Sequence, residues 1–511
     1  MMISFRELLQ ALPDVIAIHG DTQITAPIVE SSLDVQPGGV FVARKGLTSD
    51  GHDYILQAIQ AGAAAIVGER PISTLSVPYA QVADAQSAIG RLAAMYYGLP
   101  SRQLVVIGVT GTDGKTTTST LIHSILKVAT DGKAGYISTI SADLGDATED
   151  TGLHVTTPGA PRVQYFLAKM LQNGLTHCVL EMTSHGLAQG RLSGVDIDVA
   201  VITNLTHEHL DYHGTFENYR AAKGIMFEML RKSYRKPNIN KTSVVNMDDP
   251  NASYYAAFPA DQLIQYGFDT SADVRCLHAD YRPDGTYLTV QLPDSRMETC
   301  VLNLVGAFNV SNALAAISVG FSLGVDFDSI RQGLRAVKAI PGRMERIDEG
   351  QDFTAIVDFA HTPNALKNAL EAARTMLPDG KRLIAVFGSA GLRDVEKRRM
   401  MAQTSAQLAD ITVLTAEDPR TEPLDDILQM MAEGCLSQGG VEGETFVRVP
   451  DRGEALYRAC QMAQPGDIVI ACGKGHEQSM CFGTIEYPWD DREAMRAALR
   501  GTPLMTLPTA Q

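Results

Sequence analysis

The sequence has no Cys-x-x-Cys pair. Its seven cysteines, at 178, 276, 300, 435, 460, 472 and 481, are scattered and odd in number. This excludes a zinc framework or a disulfide scaffold and points to reduced thiols in a cytosol. No apolar run reaches the ~18 residues of a membrane span. The start, MMISFRELLQALPDV, breaks any signal-peptide core with Arg6, Glu7 and Asp14. A cytoplasmic protein without a membrane span is the expectation. Positive charge is also short: 43 Lys and Arg against 59 Asp and Glu give a formal net charge of −16. Such a balance argues against a nucleic-acid partner, because phosphate backbones are bound through excess Lys and Arg. A single nucleotide, which needs only a local positive site, stays open. No internal repeat or low-complexity segment is present. At 511 residues, 45% hydrophobic and 20% charged, the chain is that of a soluble globular protein with roughly three domains of ~150 residues.

A last absence is more specific. The common nucleotide loop, Gly-x-x-x-x-Gly-Lys-Ser/Thr, requires a glycine where this chain has Val109, in VVIGVTGTDGKTTTSTLIHSIL. What remains is Gly111-Thr112-Asp113-Gly114-Lys115-Thr116. Leu104 to Val109 is an apolar, β-branched run, and Leu121, Ile122, Ile125 and Leu126 keep helical spacing. Strand, glycine loop and helix follow in the order a phosphate cradle needs, with the helix N-terminus and its dipole facing the anion. Lys115 would reach the terminal phosphates and Thr116 would offer a hydroxyl to Mg²⁺. A turn that merely packs a helix on a sheet explains Gly111 and Gly114 but not Lys115 followed by three threonines.

The chain divides into residues 1–98, 99–338 and 339–511. The first unit carries GGVFVARKG and AGAAAIVGE, and YYGLPSRQ reads as a linker. In the second, HCVLEM, VDIDVAVITN and TSVVNM alternate with helical segments, the pattern of a mostly parallel sheet. Glu181 and the cluster His207, Glu208, His209, Asp211 and His213 follow two of these strands, with Lys223 beyond. Magnesium prefers oxygen, which favours Glu181 over a histidine. Solvated loop residues or a zinc site would also account for the histidines. AIPGRMERI opens the third unit, in which FTAIVDFA, RLIAVFG, ITVLTA and GDIVIACG are four apolar strands. Ligands of such sheets sit at the carboxyl ends of the strands, so one crevice is expected to collect Asp358–His361, Gly388–Arg393, Glu417–Arg420 and Gly473–Glu477. The fold expected is α/β in three domains: a small N-terminal α/β domain, a central ATPase domain and a C-terminal dinucleotide-fold-like domain.

GVTGTDGKTTT, TTP, EMTSHGLAQGR, TNLTHEHLDYHGTFENYRAAK, NMDDP, GAFNVSNALAA, IPGRMERI, VDFAHTPNAL and CGKGHE resemble, in that order, the motifs of the Mur ligases of peptidoglycan synthesis, and within them the branch that adds the third residue of the stem peptide. The resemblance covers nearly the whole chain; Asp113 stands where most members have Asn. It implies small-molecule substrates with ATP and Mg²⁺; a monomer is a separate expectation. The D-Glu carboxylate of UDP-N-acetylmuramoyl-L-Ala-D-Glu attacks the γ-phosphate, and the amine of a diamino acid displaces phosphate from the resulting acyl phosphate.

Carried over by position, the resemblance makes Lys115, Lys223 and His209 catalytic and puts Thr116, Glu181, His209 and a carbamylated Lys223 at the metal. Nucleotide falls to Thr110, Gly111, Thr112, Asp113, Gly114, Lys115 and Thr116, with Asn309 at adenine, Arg343 at phosphates, Asp358 at ribose, and His361. The UDP-sugar peptide falls to Ser31, Thr156, Thr157, Thr183, Gln189 and Arg191, although Glu30-Ser31-Ser32 replaces the usual Asp-Ser-Arg and Thr183 replaces a serine. The amino acid falls to Arg393, Glu417, Asp418, Arg420, Gly473 and Glu477. Here Glu417-Asp418-Pro419-Arg420 replaces Asp-Asn-Pro-Arg, and Leu392 stands where Asp is usual. Arg420 favours diaminopimelate, whose distal carboxylate it would pair bidentately. Asp418 suits the bare ammonium of lysine or ornithine. A folylpolyglutamate-synthase-like ligase is the alternative with the same ATP core; a GTPase or kinase would need the full loop spacing, and a non-catalytic nucleotide sensor would survive loss of Glu181 and Lys223.

Overall fold

The computed structural model describes residues 2–46, 49–149, 151, 157–206, 208–282, 285–304 and 306–509. Thr156 and His207 lie outside the described residues, as does the Asp211 side chain. All seven cysteines are buried and free, and no helix among the described residues is long and apolar enough to cross a membrane.

The strands gather into three main sheets. The first has the order Val15–His19, Tyr79–Val82, Ala65–Gly68, Val40–Ala43, Ile28–Val29. The second holds eleven strands among the described residues. Its middle is parallel, with Ala134–Ile137, His177–Glu181, Val105–Thr110, Val199–Ile202, Thr242–Asn246 and Gln262–Gly267 side by side. Those strands are buried on both faces, beneath Leu121, Ile125 and Leu314 on one side and Phe166, Phe227 and Leu230 on the other. Double burial is why they read as unbroken apolar runs. Gly285–Gln291 and Met297–Leu302 extend one edge antiparallel, and the first of these alternates between buried and half-buried residues, as a sheet with one wetter face does.

The third sheet has the order Glu345–Ile347, Thr354–Asp358, Ile468–Cys472, Leu383–Phe387, Ile411–Leu414, Phe446–Arg448, parallel except at its first strand. Its four predicted strands thus lie adjacent, with their carboxyl ends at one edge. Arg452, fully buried with Asp491, ties two of those ends: its guanidinium donates to Ala416 O at 3.1 Å and Cys472 O at 2.9 Å. The segments carrying Glu417 and Gly473 are held together in this way.

The first unit docks on the second through the helix Ala85–Tyr96. A Cβ at Gly90 would stand 2.1 Å from Ser193 O, so only glycine permits this approach. Where the sequence suggests a plain linker, Pro100–Arg102 forms a 3₁₀ turn entered by Leu99 at φ +56°.

Candidate active site

The glycine loop leaves the central strand at Thr110 and enters the helix Lys115–Ala129 at Gly114, whose φ is +80°; no side chain caps that helix end. Gly111, at φ +150°, lies so close to Thr203 that a Cβ would meet its Oγ1 at 1.8 Å. Thr203 Oγ1 donates to Asp113 O at 2.6 Å, and Asn204 Oδ1 accepts from the Asp113 N–H at 2.9 Å. The segment after the neighbouring strand therefore pins the loop, and the uncapped start of the helix that follows is the part whose amides would bind an anion. Thr110 is buried and bonds Met182 O, so its role is to hold the loop to the sheet. Lys115 Nζ donates to Thr112 O at 2.7 Å.

One pocket of about 230 Å³ is lined by Thr112 to Thr117, Asn309, Arg343, Asp358, Phe359 and His361. It spans two sheets. Asn364 Nδ2 donates to Asp113 Oδ2 at 3.1 Å, Arg343 Nη2 reaches Thr116 Oγ1 at 3.4 Å, and His361 Nε2 lies 3.6 Å from Glu208 Oε1. Burial and then Glu208 raise the Asp113 pKa. Burial raises that of Asp358 against the pull of Arg343. Asp358 accepts N–H bonds from Met344 and Ala360. Asn309 is buried and accepts from Asn312. Arg343 Nε is buried without a hydrogen-bond partner, an orphan donor that an anion would satisfy.

Thr116 Oγ1 donates to Glu181 at 3.1 Å, and Thr139 donates to the same carboxylate through its N–H and hydroxyl. The hydroxyl and carboxylate fit a hard cation such as Mg²⁺, which prefers oxygen. No group of three or more His, Cys, Asp or Glu poised to hold a metal is present among the described residues. His209 packs edge-on against His185 at 4.7 Å, and the His185 ring also meets those of Tyr212 and His213. Desolvation lowers the His209 pKa against Glu208, and His185, Lys223 and Lys115 add to the drop. Lys223 is buried, donates to Gly111 O at 2.7 Å and sits 4.5 Å above the Tyr219 ring. Desolvation, with Lys115 adding to it, holds its pKa well below the ordinary lysine value.

A second pocket of about 270 Å³ lies between the first two units, lined by Glu30, Arg44, Gln86, Gln189 and Arg191 among others. Arg191 donates to Thr157 O at 2.9 Å and Gln189 Oε1 at 2.6 Å. Thr157 and Thr183 share a hydroxyl contact at 3.1 Å, and Thr157 bonds Glu181 O, which links this pocket to the phosphate loop. Ser31 stands between Glu30 in the wall and Ser32, which is buried on Gln57. Arg44 pairs with Glu30. It was not among the residues picked out from the motifs; a basic residue in FVARKG carries no signal of its own.

At the C-terminal crevice, Glu417 and Gly473 are adjacent, since a Cβ on Gly473 would lie 2.8 Å from Glu417 Oε2. Burial raises the Glu417 pKa. Arg393 is exposed on the loop after Leu383–Phe387. Arg420 Nη1 donates to Gly391 O at 3.2 Å. Asp418 differs from the expectation that it faces a ligand ammonium. Its Oδ1 already accepts from Lys474 Nζ at 3.0 Å and from the Cys481 N–H at 2.9 Å, because the strand Ser479–Phe482 runs alongside. Leu392, Asp418 and Arg420 all have left-handed backbone, at φ +56°, +37° and +54°. Short polar residues tolerate that region best, which suits Asp418 and puts strain on Leu392 and Arg420.

Models of the Mur ligase family match three stretches: the family's catalytic domain at 30–97, the middle domain at 109–320 and the glutamate ligase domain at 342–475. The chain is 40% identical over 98% of its length to a UDP-N-acetylmuramoyl-L-alanyl-D-glutamate–2,6-diaminopimelate ligase of Geobacillus thermodenitrificans, covering 99% of it. It is 41% identical over 93% of its length to a UDP-N-acetylmuramyl-tripeptide synthetase of Roseiflexus, covering 94% of that protein. A solved UDP-N-acetylmuramoyl-L-alanyl-D-glutamate–2,6-diaminopimelate ligase superposes with a TM-score of 0.63 at 28% identity, over 98% of this chain and 99% of that one.

Proposed function

The chain belongs to the Mur ligase family, and on that premise we propose that it is the ATP-dependent amide ligase that joins meso-diaminopimelate to the D-Glu carboxylate of UDP-N-acetylmuramoyl-L-Ala-D-Glu in peptidoglycan precursor synthesis. The observation that carries this reading is the single pocket lined both by the phosphate loop and by Asn309, Arg343, Asp358 and His361.

Two anions, a carboxylate and the γ-phosphate, must meet before any bond forms. Lys115 and the free amides of the helix start stabilise charge on the transferred group, and Arg343, with its orphan Nε, adds a second cation. Asn309 holds adenine and Asp358 the ribose. Thr116 and Glu181 would hold Mg²⁺, with His209 and the carbamate of Lys223 as further ligands. Mg²⁺, when bound there, screens the repulsion between the reacting anions. Burial favours the neutral Lys223 amine, which adds CO₂ and releases one proton, so the side chain becomes a carboxylate. Arg191, Gln189, Thr157 and Thr183 bind the UDP-sugar peptide together with Arg44. The D-Glu carboxylate takes the γ-phosphoryl group as ADP leaves, and the acyl phosphate so formed is attacked by the neutral amine of the diamino acid, which gives up a proton as phosphate leaves.

Diaminopimelate is supported by the names of the relatives and by Arg420 and Arg393, which suit a distal carboxylate. Lysine or ornithine rested on the charge of Asp418, which Lys474 already neutralises. A folylpolyglutamate-synthase-like activity leaves the pocket of Arg44 and Arg191 without a use. The test is purified protein with ATP, the UDP-MurNAc-dipeptide and each diamino acid in turn, with ADP release and product mass as readouts. A tripeptide product formed faster with lysine than with diaminopimelate overturns the amino-acid assignment; ATP turnover only with folate and glutamate overturns the reaction.

A further inference from the structure

The carboxylates at the amino-acid end of the crevice share a cation of the protein's own. Lys474 has no exposed side-chain surface; its Nζ lies 3.0 Å from Asp418 Oδ1 and 2.5 Å from Glu477 Oε2. Asp418 is the more enclosed, with 8% of its side chain exposed against 23% for Glu477. It also takes the Cys481 N–H on the same oxygen. Burial pulls the Lys474 pKa down, but Glu477 and Asp418 together hold it above the ordinary lysine value, so the cation persists. One cation is therefore divided between two carboxylates, and the more exposed of the two is Glu477.

We infer that Lys474 is a positioning residue that sets the choice of amino acid, by occupying Asp418 and partly neutralising Glu477. This rests on the ligase reading above. An amino acid whose distal end carries only an ammonium finds one half-compensated carboxylate. An end carrying both ammonium and carboxylate finds Glu477 and the guanidinium of Arg420 together. Lysine is disfavoured because the protein supplies its own lysine in the place the ligand's charge would need.

The sign of each substitution follows. Lys474→Met removes the cation that the two carboxylates share, so the site attracts a bare ammonium more strongly and repels a carboxylate. Asp418→Asn leaves the cation less compensated and does the reverse. With the full-length protein, ATP and UDP-MurNAc-dipeptide, kcat/KM is measured for meso-diaminopimelate and L-lysine. In Lys474→Met the diaminopimelate-to-lysine ratio should fall by about tenfold or more, through KM for the amino acid and not KM for ATP. In Asp418→Asn the ratio should rise, and the double variant should return towards native. An unchanged ratio in Lys474→Met overturns the inference. So does Asp418→Asn lowering kcat/KM for both amino acids alike, which would mean that Asp418 holds the ammonium common to both. Should Lys474→Met fail to fold, the direction of the Asp418→Asn ratio decides alone. A native protein that ligates neither amino acid overturns the ligase reading itself; one that ligates diaminopimelate while the ratios stay fixed overturns only the role of Lys474.

Discussion

Replacing Gly114 by alanine tests whether the loop geometry and the adenine side of the pocket are one mechanical unit. Gly114 has φ +80°, and an added Cβ would stand 2.3 Å from Asn312 Oδ1. That oxygen accepts from Thr118 Oγ1 at 3.2 Å, and the same amide donates to Asn309 Oδ1 at 3.2 Å. Left-handed backbone costs an alanine ~1–2 kcal/mol. Displacing Asn312 forfeits two hydrogen bonds at ~1 kcal/mol each, for a total of ~3–4 kcal/mol. A built-in control exists at Gly132, which has φ +84° but nothing within 4 Å of its Cβ position; Gly132→Ala should lose only the backbone term. At ~2–4 °C per kcal/mol for a domain of this size, the apparent midpoint should fall by about 10 °C in Gly114→Ala and about 4 °C in Gly132→Ala. Scanning calorimetry measures both, and initial-rate kinetics should show KM for ATP raised by about tenfold in the first variant alone. Equal midpoints in the two variants, with an unchanged KM for ATP, would refute the steric argument and the coupling of Gly114 to Asn309.

Lys115→Ala should lower kcat by ~10²-fold or more, since a preorganised charge at the transferred phosphoryl group is lost; ADP release under saturating substrates measures it. Lys223→Ala should be nearly inactive and regain part of its rate with millimolar acetate, which supplies a carboxylate at the vacated position, and a fully active variant would return Lys223 to an ordinary buried amine. Arg44→Ala should raise KM for the UDP-sugar peptide by about tenfold while KM for ATP stays put, because Arg44 lines the pocket between the first two units and not the one at the phosphate loop. Hydrogen bonds from Arg398 and the Leu392 N–H lower the Glu422 pKa from 4.5 to about 2. A depressed carboxylate stabilises the fold above its unfolded pKa and loses that contribution as pH falls through the folded one. Glu422→Gln should thus unfold earlier than the native chain at neutral pH, with the gap closing between 4.5 and about 2.

Much of the architecture was legible in the chain because local chemistry dictates it. Val105–Thr110, Gly111, Gly114 and Lys115–Ala129 form strand, loop and helix through β-branching, positive φ and apolar spacing, all properties of neighbours in sequence. The four apolar runs of the third unit became adjacent parallel strands for the same reason, and their ends converge as such sheets require. Contacts between residues far apart in sequence were not legible. Lys474 looked like part of a glycine motif until the strand Ser479–Phe482 brought Asp418 beside it. Arg44 looked like any surface arginine until the docking of Gly90 on Ser193 closed a pocket around it. The edge-on packing of His209 against His185, 24 positions away in the chain, was not legible either. Sequence by itself determined where strand, glycine loop and helix succeed one another, since backbone conformation and periodicity are local. Only the tertiary structure decided which charges are already paired, because compensation depends on groups tens to hundreds of residues away meeting at distances of a few ångströms, where Coulomb and desolvation energies are decided.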